Sequence, residues 1–205
     1  MDNLIALGKA KPMIVVMTNG NANQQAEMGY VPVSANQVVR QPAASVSPGA
    51  AGASGGNPNS GRFEESLVKD VIPYIETHYR VLKDKNNRAI AGLSMGGGQT
   101  QRITLTYPDM FAYIGNFSMG IRNLNDDLAN QFKVLKSKNP KLYYVAVGKI
   151  DQMMFQSTQI FQSTQILVAE LKKDGFNYIY NETSGWHSWS NWRIYLSDFA
   201  PRLFK

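Results

Sequence analysis

The sequence predicts an α/β fold, a mostly parallel sheet covered by helices. Three observations carry that expectation. Short apolar runs recur at 13–17, 88–93, 112–118, 142–147 and 177–181, and segments of helical period lie between them. The runs are also continuously apolar rather than alternating, as strands buried on both faces are. Strands alternating with helices imply crossover connections and hence parallel pairing.

The elements follow in chain order. "MIVVM" (13–17) is strand-sized, far short of the roughly 18 residues of a membrane span. Over 64–80, Leu67, Val68, Val71, Ile72 and Ile75 share one helical face, and Pro73 is expected to kink that helix. "RAIAGL" (88–93) is the next strand. Helices are then expected at 97–106, 127–137, 157–173 and 190–198, with "AYIGNFS", "LYYVAV" and "NYIYN" as the strands between them.

Two stretches fall outside this alternation. From 43 to 61 every residue except Val46 is Ala, Ser, Gly, Pro or Asn. Such a segment buries too little to offset the entropy of ordering it. It reads as a surface insertion within a single domain covering 1–205, either lying over a site or simply a loop. "FQSTQIFQSTQI" (155–166) is a tandem hexamer. Two copies do not make a repeat architecture, so it reads as a local duplication within a helix.

Composition narrows the classes. With 205 residues, 43% hydrophobic and 18% charged, the chain suits one soluble globular domain. The formal charge of +6 comes from scattered Lys and Arg, so no nucleic-acid surface is expected, nor any membrane partner. The absence of cysteine excludes disulfides and zinc–thiolate sites. "MDNLIALGKAKP" lacks the basic–apolar–small order of a signal peptide.

The chemistry concentrates in "AGLSMGGGQT" (91–100), which sets one serine among four glycines directly after a strand and before a helix. This is the G-x-S-x-G nucleophile elbow with both flanks in place. Ser94 is expected on a strained strand-to-helix turn, with Gly92 and Gly96 required because a Cβ there would clash. The helix N-terminus beneath it offers N–H groups and a positive dipole to a developing oxyanion.

A serine hydroxyl needs a base. Of the two histidines, His78 sits inside a helix ahead of the elbow and reads as an ordinary helix residue. His187 follows the last strand, where α/β sheets place their functional groups, and is the expected base. In this kind of site the acid falls between serine and histidine in chain order. Of the acids in that interval, only Asp151 and Glu182 come just past a strand; Asp151 is the choice and Glu182 the runner-up. Asp126 and Asp127 read as charges at a helix N-terminus. Trp189 and Trp192, at helical spacing, read as core, which leaves Trp186 beside the histidine as the substrate-binding candidate.

"RFEESLVKDVIPYIETHYRV", "RAIAGLSMGGGQT", "YPDMFAYIGNFS" and "GWHSWSNWRIYLSDFAPRLF" together resemble the esterase D-like, carbohydrate esterase family 1 branch of the α/β-hydrolases, whose feruloyl and acetylxylan esterases are the closest match. The resemblance covers nearly all of the chain except 21–61. It implies an α/β-hydrolase fold with Ser94, Asp151 and His187 as triad, and the Met95 N–H as one oxyanion donor. It also implies a cofactor-independent acyl-enzyme mechanism on esterified plant cell-wall polysaccharide, and a secreted or periplasmic location. The chain departs from the family at its front, lacking the N-terminal strands and the loop that donates the second oxyanion N–H. The missing strand would lie between 13–17 and 88–93, so the expectation is that 13–17 moves in beside 88–93 or that a strand from a second copy completes the sheet. In the first case the loop 18–20 would stand near Ser94. Two functions follow from these readings: a serine esterase releasing ferulate or acetate from xylan, or a non-catalytic or weakly active relative, with an intact triad but an incomplete oxyanion hole, that binds carbohydrate or a partner.

Overall fold

The computed structural model describes residues 1–18, 20, 62–151 and 160–205. The insertion at 43–61 and most of the first hexamer copy lie outside the described residues. A short helix α1 (Asp2–Ala6) opens the chain. A longer helical segment follows from α2 (Arg62–Ser66) through a π turn (Leu67–Val71) to α3 (Ile72–His78). The departure expected at Pro73 is taken up one turn earlier. Proline lacks an N–H and its ring crowds the carbonyl four residues back, that of Lys69; the wider π turn, closed by Ile72 N–H donating to the Leu67 carbonyl, carries that mismatch.

Strand and helix then alternate as expected: β1 (Ala89–Leu93), α4 (Met95–Thr106), β2 (Tyr113–Phe117), α5 (Asp126–Ser137), β3 (Leu142–Gly148), α6 (Ile160–Lys173), β4 (Tyr178–Thr183) and α7 (Trp189–Phe199). The four strands are parallel in the order β1-β2-β3-β4. β2 and β3 are buried along their whole length. Alternate side chains of β3 feed two cores. Tyr144 and Ala146 meet Tyr195 and Phe199 of α7 on one face, while Tyr143 and Val145 meet Phe132, Leu135, Leu167 and Leu171 of α5 and α6 on the other. Continuous apolar strands were the sign of such two-sided burial.

The front of the chain differs from expectation. Residues 13–17 form no strand, and among the described residues nothing pairs with the outer edge of β1. Met13 packs against the α7-side core, but Ile14, Val15 and Val16 are half-exposed and Met17 is 92% exposed. An apolar run signals a strand by its side chains, yet a strand exists only where a partner offers N–H and C=O groups in register. The apolar face of α2 and α3 is correspondingly only half-buried, with Leu67, Val68, Val71, Ile72 and Ile75 all partly exposed.

Candidate active site

β1 ends at Leu93 and the chain reverses into α4 through Ser94, whose φ of 52° lies where a non-glycine residue is uncommon. Two contacts hold the turn. Ser94 N–H donates to the Phe117 carbonyl at 2.9 Å, extending the β1–β2 ladder by one residue. Gly92 lies so close beneath the Gly96 carbonyl that a Cβ there would overlap it. Gly96 itself faces open space, so its lack of a side chain is not required by packing, contrary to expectation. Met95 is the first residue of α4, so its N–H has no acceptor within the helix and lies at the positive end of the helix dipole.

The acid arrives from β3. After Gly148 the chain turns out of the sheet, Lys149 N–H donating to the Thr183 carbonyl (2.7 Å) and Asp151 N–H to the Gly148 carbonyl (3.0 Å). Asp151 is wholly buried. The histidine arrives from the loop after β4, which Asn191 of α7 pins by donating from Nδ2 to the Trp186 carbonyl at 2.7 Å. The three side chains meet. His187 Nδ1 lies 2.7 Å from Asp151 Oδ1, and His187 Nε2 lies 2.9 Å from Ser94 Oγ. With the buried carboxylate accepting from Nδ1–H, Nε2 carries the lone pair that accepts from the serine hydroxyl. Residues 93 and 36 positions apart are thereby joined in one hydrogen-bonded line.

The other candidates separate cleanly. Glu182 belongs to β4 rather than to the loop after it, and it turns outward to accept from Tyr180 Oη (2.8 Å) and pair with Lys149 (3.3 Å). The Tyr180 hydrogen bond, helped by Lys149, holds its carboxyl below the usual value. His78 is exposed on α3, stacked on Tyr74 and bonded to its carbonyl. Asp126 and Asp127 occupy the first turn of α5.

Exposed apolar side chains flank each member of the line: Met95 follows Ser94, Ile150 precedes Asp151 and Trp186 precedes His187, all more than half exposed. Trp189, read from its spacing as core, is 69% exposed. Helical spacing locates a face, and this first turn of α7 carries that face past the edge of the core. Trp192, also read as core, does pack against the α7-side core, whereas sequence reasoning missed Asn191 and Ser118. Trp192 is partly buried, with its ring 4.9 Å from that of His187. Gly20, in the loop after 13–17, reaches α4 through its carbonyl, which accepts from Gln99 Nε2 at 2.8 Å. Asn19 lies outside the described residues, as does any part it has in the site. Among the described residues no group of acids and histidines is arranged to hold a metal.

A family model described as "Putative esterase" matches residues 2–203. An endo-1,4-beta-xylanase/feruloyl esterase of Xylanibacter ruminicola is 33% identical over 207 residues, covering 100% of this chain. The chain spans only 23% of that relative's length. Among solved structures, a ferulic acid esterase from Anaeromyces mucronatus in complex with ferulic acid superposes with a TM-score of 0.69 at 22% identity, covering 98% of this chain and 69% of its own. A mutant of the feruloyl esterase module from Clostridium thermocellum complexed with sinapinate gives 0.70 at 19% identity, covering 99% and 68%. At such identities these two establish the α/β-hydrolase fold.

Proposed function

This chain belongs to the esterase family, and from that premise we propose that it is a serine carboxylesterase releasing ferulate or acetate from esterified plant cell-wall polysaccharide such as xylan. The observation that carries the proposal is the unbroken line from Ser94 Oγ through His187 to buried Asp151. In it, His187 Nε2 takes the Ser94 proton as Oγ attacks the ester carbonyl. The Met95 N–H, at the head of α4, receives the oxyanion of the tetrahedral intermediate. Collapse returns the proton from Nε2 to the departing sugar oxygen and leaves Ser94 acylated. Water then repeats the sequence, and the free acid departs. Asp151 stays ionised throughout, holding the Nδ1–H tautomer and balancing the imidazolium.

The substrate side of the proposal draws on the names of the feruloyl esterase relatives and on the exposed rim of Met95, Ile150 and Trp186. Trp186 is the residue proposed to stack on a phenolic or sugar ring. The experiment is covalent labelling with a fluorophosphonate, together with release of ferulate from feruloylated xylo-oligosaccharide. Labelling and turnover that both vanish in Ser94→Ala support the esterase; no labelling of the wild type overturns it.

The second reading, a weakly active carbohydrate- or partner-binding relative, is favoured by one observation. Among the described residues, 13–17 form no strand paired with β1, and the contact Gly20 makes with α4 is through its carbonyl. Loss of one oxyanion donor typically lowers turnover by about 10²–10³. Rapid labelling with turnover reduced on that scale, alongside retained binding of xylo-oligosaccharide, selects this reading.

A further inference from the structure

His187 is held at both ring nitrogens, by Asp151 at 2.7 Å and Ser94 at 2.9 Å. The freedom left to the imidazole is rotation about its Cβ–Cγ bond, which carries both nitrogens off the Asp151–Ser94 line. The bond to Ser94 is moreover given up each time the proton moves. A base that must return its proton to a different oxygen needs a wall, and Trp192 supplies one. Its ring stands perpendicular to that of His187, at 89° and with centroids 4.9 Å apart.

Trp192 is itself held on two further sides. Its indole N–H donates to Ser118 Oγ at 3.0 Å, and Trp189 closes against it edge-to-face at 5.0 Å. Ser118 is wholly buried and has a φ of 51°. Such a left-handed serine persists only where the surroundings over-determine it. Here its N–H donates to the Ala146 carbonyl at 2.8 Å while its hydroxyl oxygen receives the indole. The residue before it, Phe117, accepts the backbone N–H of Ser94. Two consecutive residues at the end of β2 therefore hold the nucleophile's backbone and the ring that braces the base.

We propose that Trp192 is a positioning residue for His187, anchored by Ser118, that keeps the imidazole on the Asp151–Ser94 line through both proton transfers. The proposal rests on the esterase reading for its kinetic consequence but not for its geometric one. A tryptophan that merely fills the core is replaced without kinetic effect by another large apolar side chain. A wall against the imidazole needs a ring, so leucine fails where phenylalanine largely succeeds.

The test uses the chain's two histidines. In protein labelled with 15N-histidine, His187 contributes a low-field Nδ1–H resonance from its bond to Asp151, and exposed His78 serves as internal control. Trp192→Leu is expected to broaden or abolish the His187 resonance while His78 is unchanged, and to lower kcat by about 10- to 100-fold with KM held within about twofold, as misalignment of a catalytic group does. Trp192→Phe is expected to recover most of both signals, and Ser118→Ala to fall between the two. An unchanged His187 resonance and kcat in Trp192→Leu, or a loss confined to KM, overturns the proposal. If that variant fails to fold, Ser118→Ala, which removes a single oxygen, decides by the same two readouts. A wild type with the His187 resonance but no ester hydrolysis would sink the esterase reading, and the resonance in the variants would still decide the positioning role.

Discussion

Gly148 at the end of β3 lies so close to the carbonyl oxygen of Gly185 in the loop after β4 that a Cβ at 148 would overlap it. Gly185 is covered in turn by the Asn191 amide, which also holds the Trp186 carbonyl. The loop bearing Asp151 and the loop bearing His187 are thus docked backbone to backbone.

Gly148→Ala is therefore expected to separate the two loops. The clash is with main chain, which cannot rotate away, so the cost should reach or exceed the roughly 1–3 kcal/mol of ordinary overpacking. Thermal denaturation should show a lowered Tm, and hydrolysis of an aryl acetate should fall by at least about 10-fold. A fully active Gly148→Ala protein would mean that the docking does not position the acid.

Substitutions in the polar line should separate the two candidate acids. Asp151→Asn reverses the donor and acceptor that Nδ1–H requires and is expected to lower kcat by about 10⁴. Glu182→Gln, at a carboxylate bonded to Tyr180 and paired with Lys149, should leave kcat within about twofold. Equal losses in steady-state kinetics would refute the assignment of Asp151.

Trp186→Ala is expected to act on binding alone. Trp186 precedes His187 in the chain and is more than half exposed, so KM for a feruloylated oligosaccharide should rise by about 2- to 10-fold, the scale of one lost aromatic contact. Hydrolysis of a small alkyl acetate should barely change. Parallel loss on both substrates would assign Trp186 to the catalytic geometry instead.

Acid stability should report on Asp198, which joins α7 to β3. Burial works against its charge, but Arg202 (2.7 Å) and Tyr144 (2.8 Å) outweigh it, and the carboxyl sits below its ordinary 3.8. A depressed carboxylate contributes stability above its unfolded pKa and loses it as pH falls through the lower folded value. Melting curves from pH 7 down to about pH 2 should show a loss of stability below about pH 4 that is smaller in Asp198→Asn. An unaltered pH dependence would show that the pair contributes nothing, which its partial exposure makes a fair test.

Much of this molecule is local pattern. The pattern of apolar residues marks the four strands and the helices after β1, β2 and β4 within a residue or two, and the C-terminal end of α6, because two-sided burial demands apolar runs in strands. The elbow is equally legible: only a glycine fits where Gly92 meets the Gly96 carbonyl, and that requirement stands in the residues themselves. Chain order then narrows the base to His187 and the acid to two residues. Asp151 is already the choice and Glu182 the runner-up; what only the tertiary structure shows is that β4 runs through Glu182 and that its carboxylate meets Tyr180 and Lys149. The same holds for 13–17, whose side chains announce a strand that no partner completes among the described residues, since pairing belongs to two segments and is written in neither alone. The contact between Trp192 and Ser118 was not legible for a related reason. Their meeting spans 74 positions and depends on a left-handed backbone at Ser118, which no spacing rule anticipates for a serine.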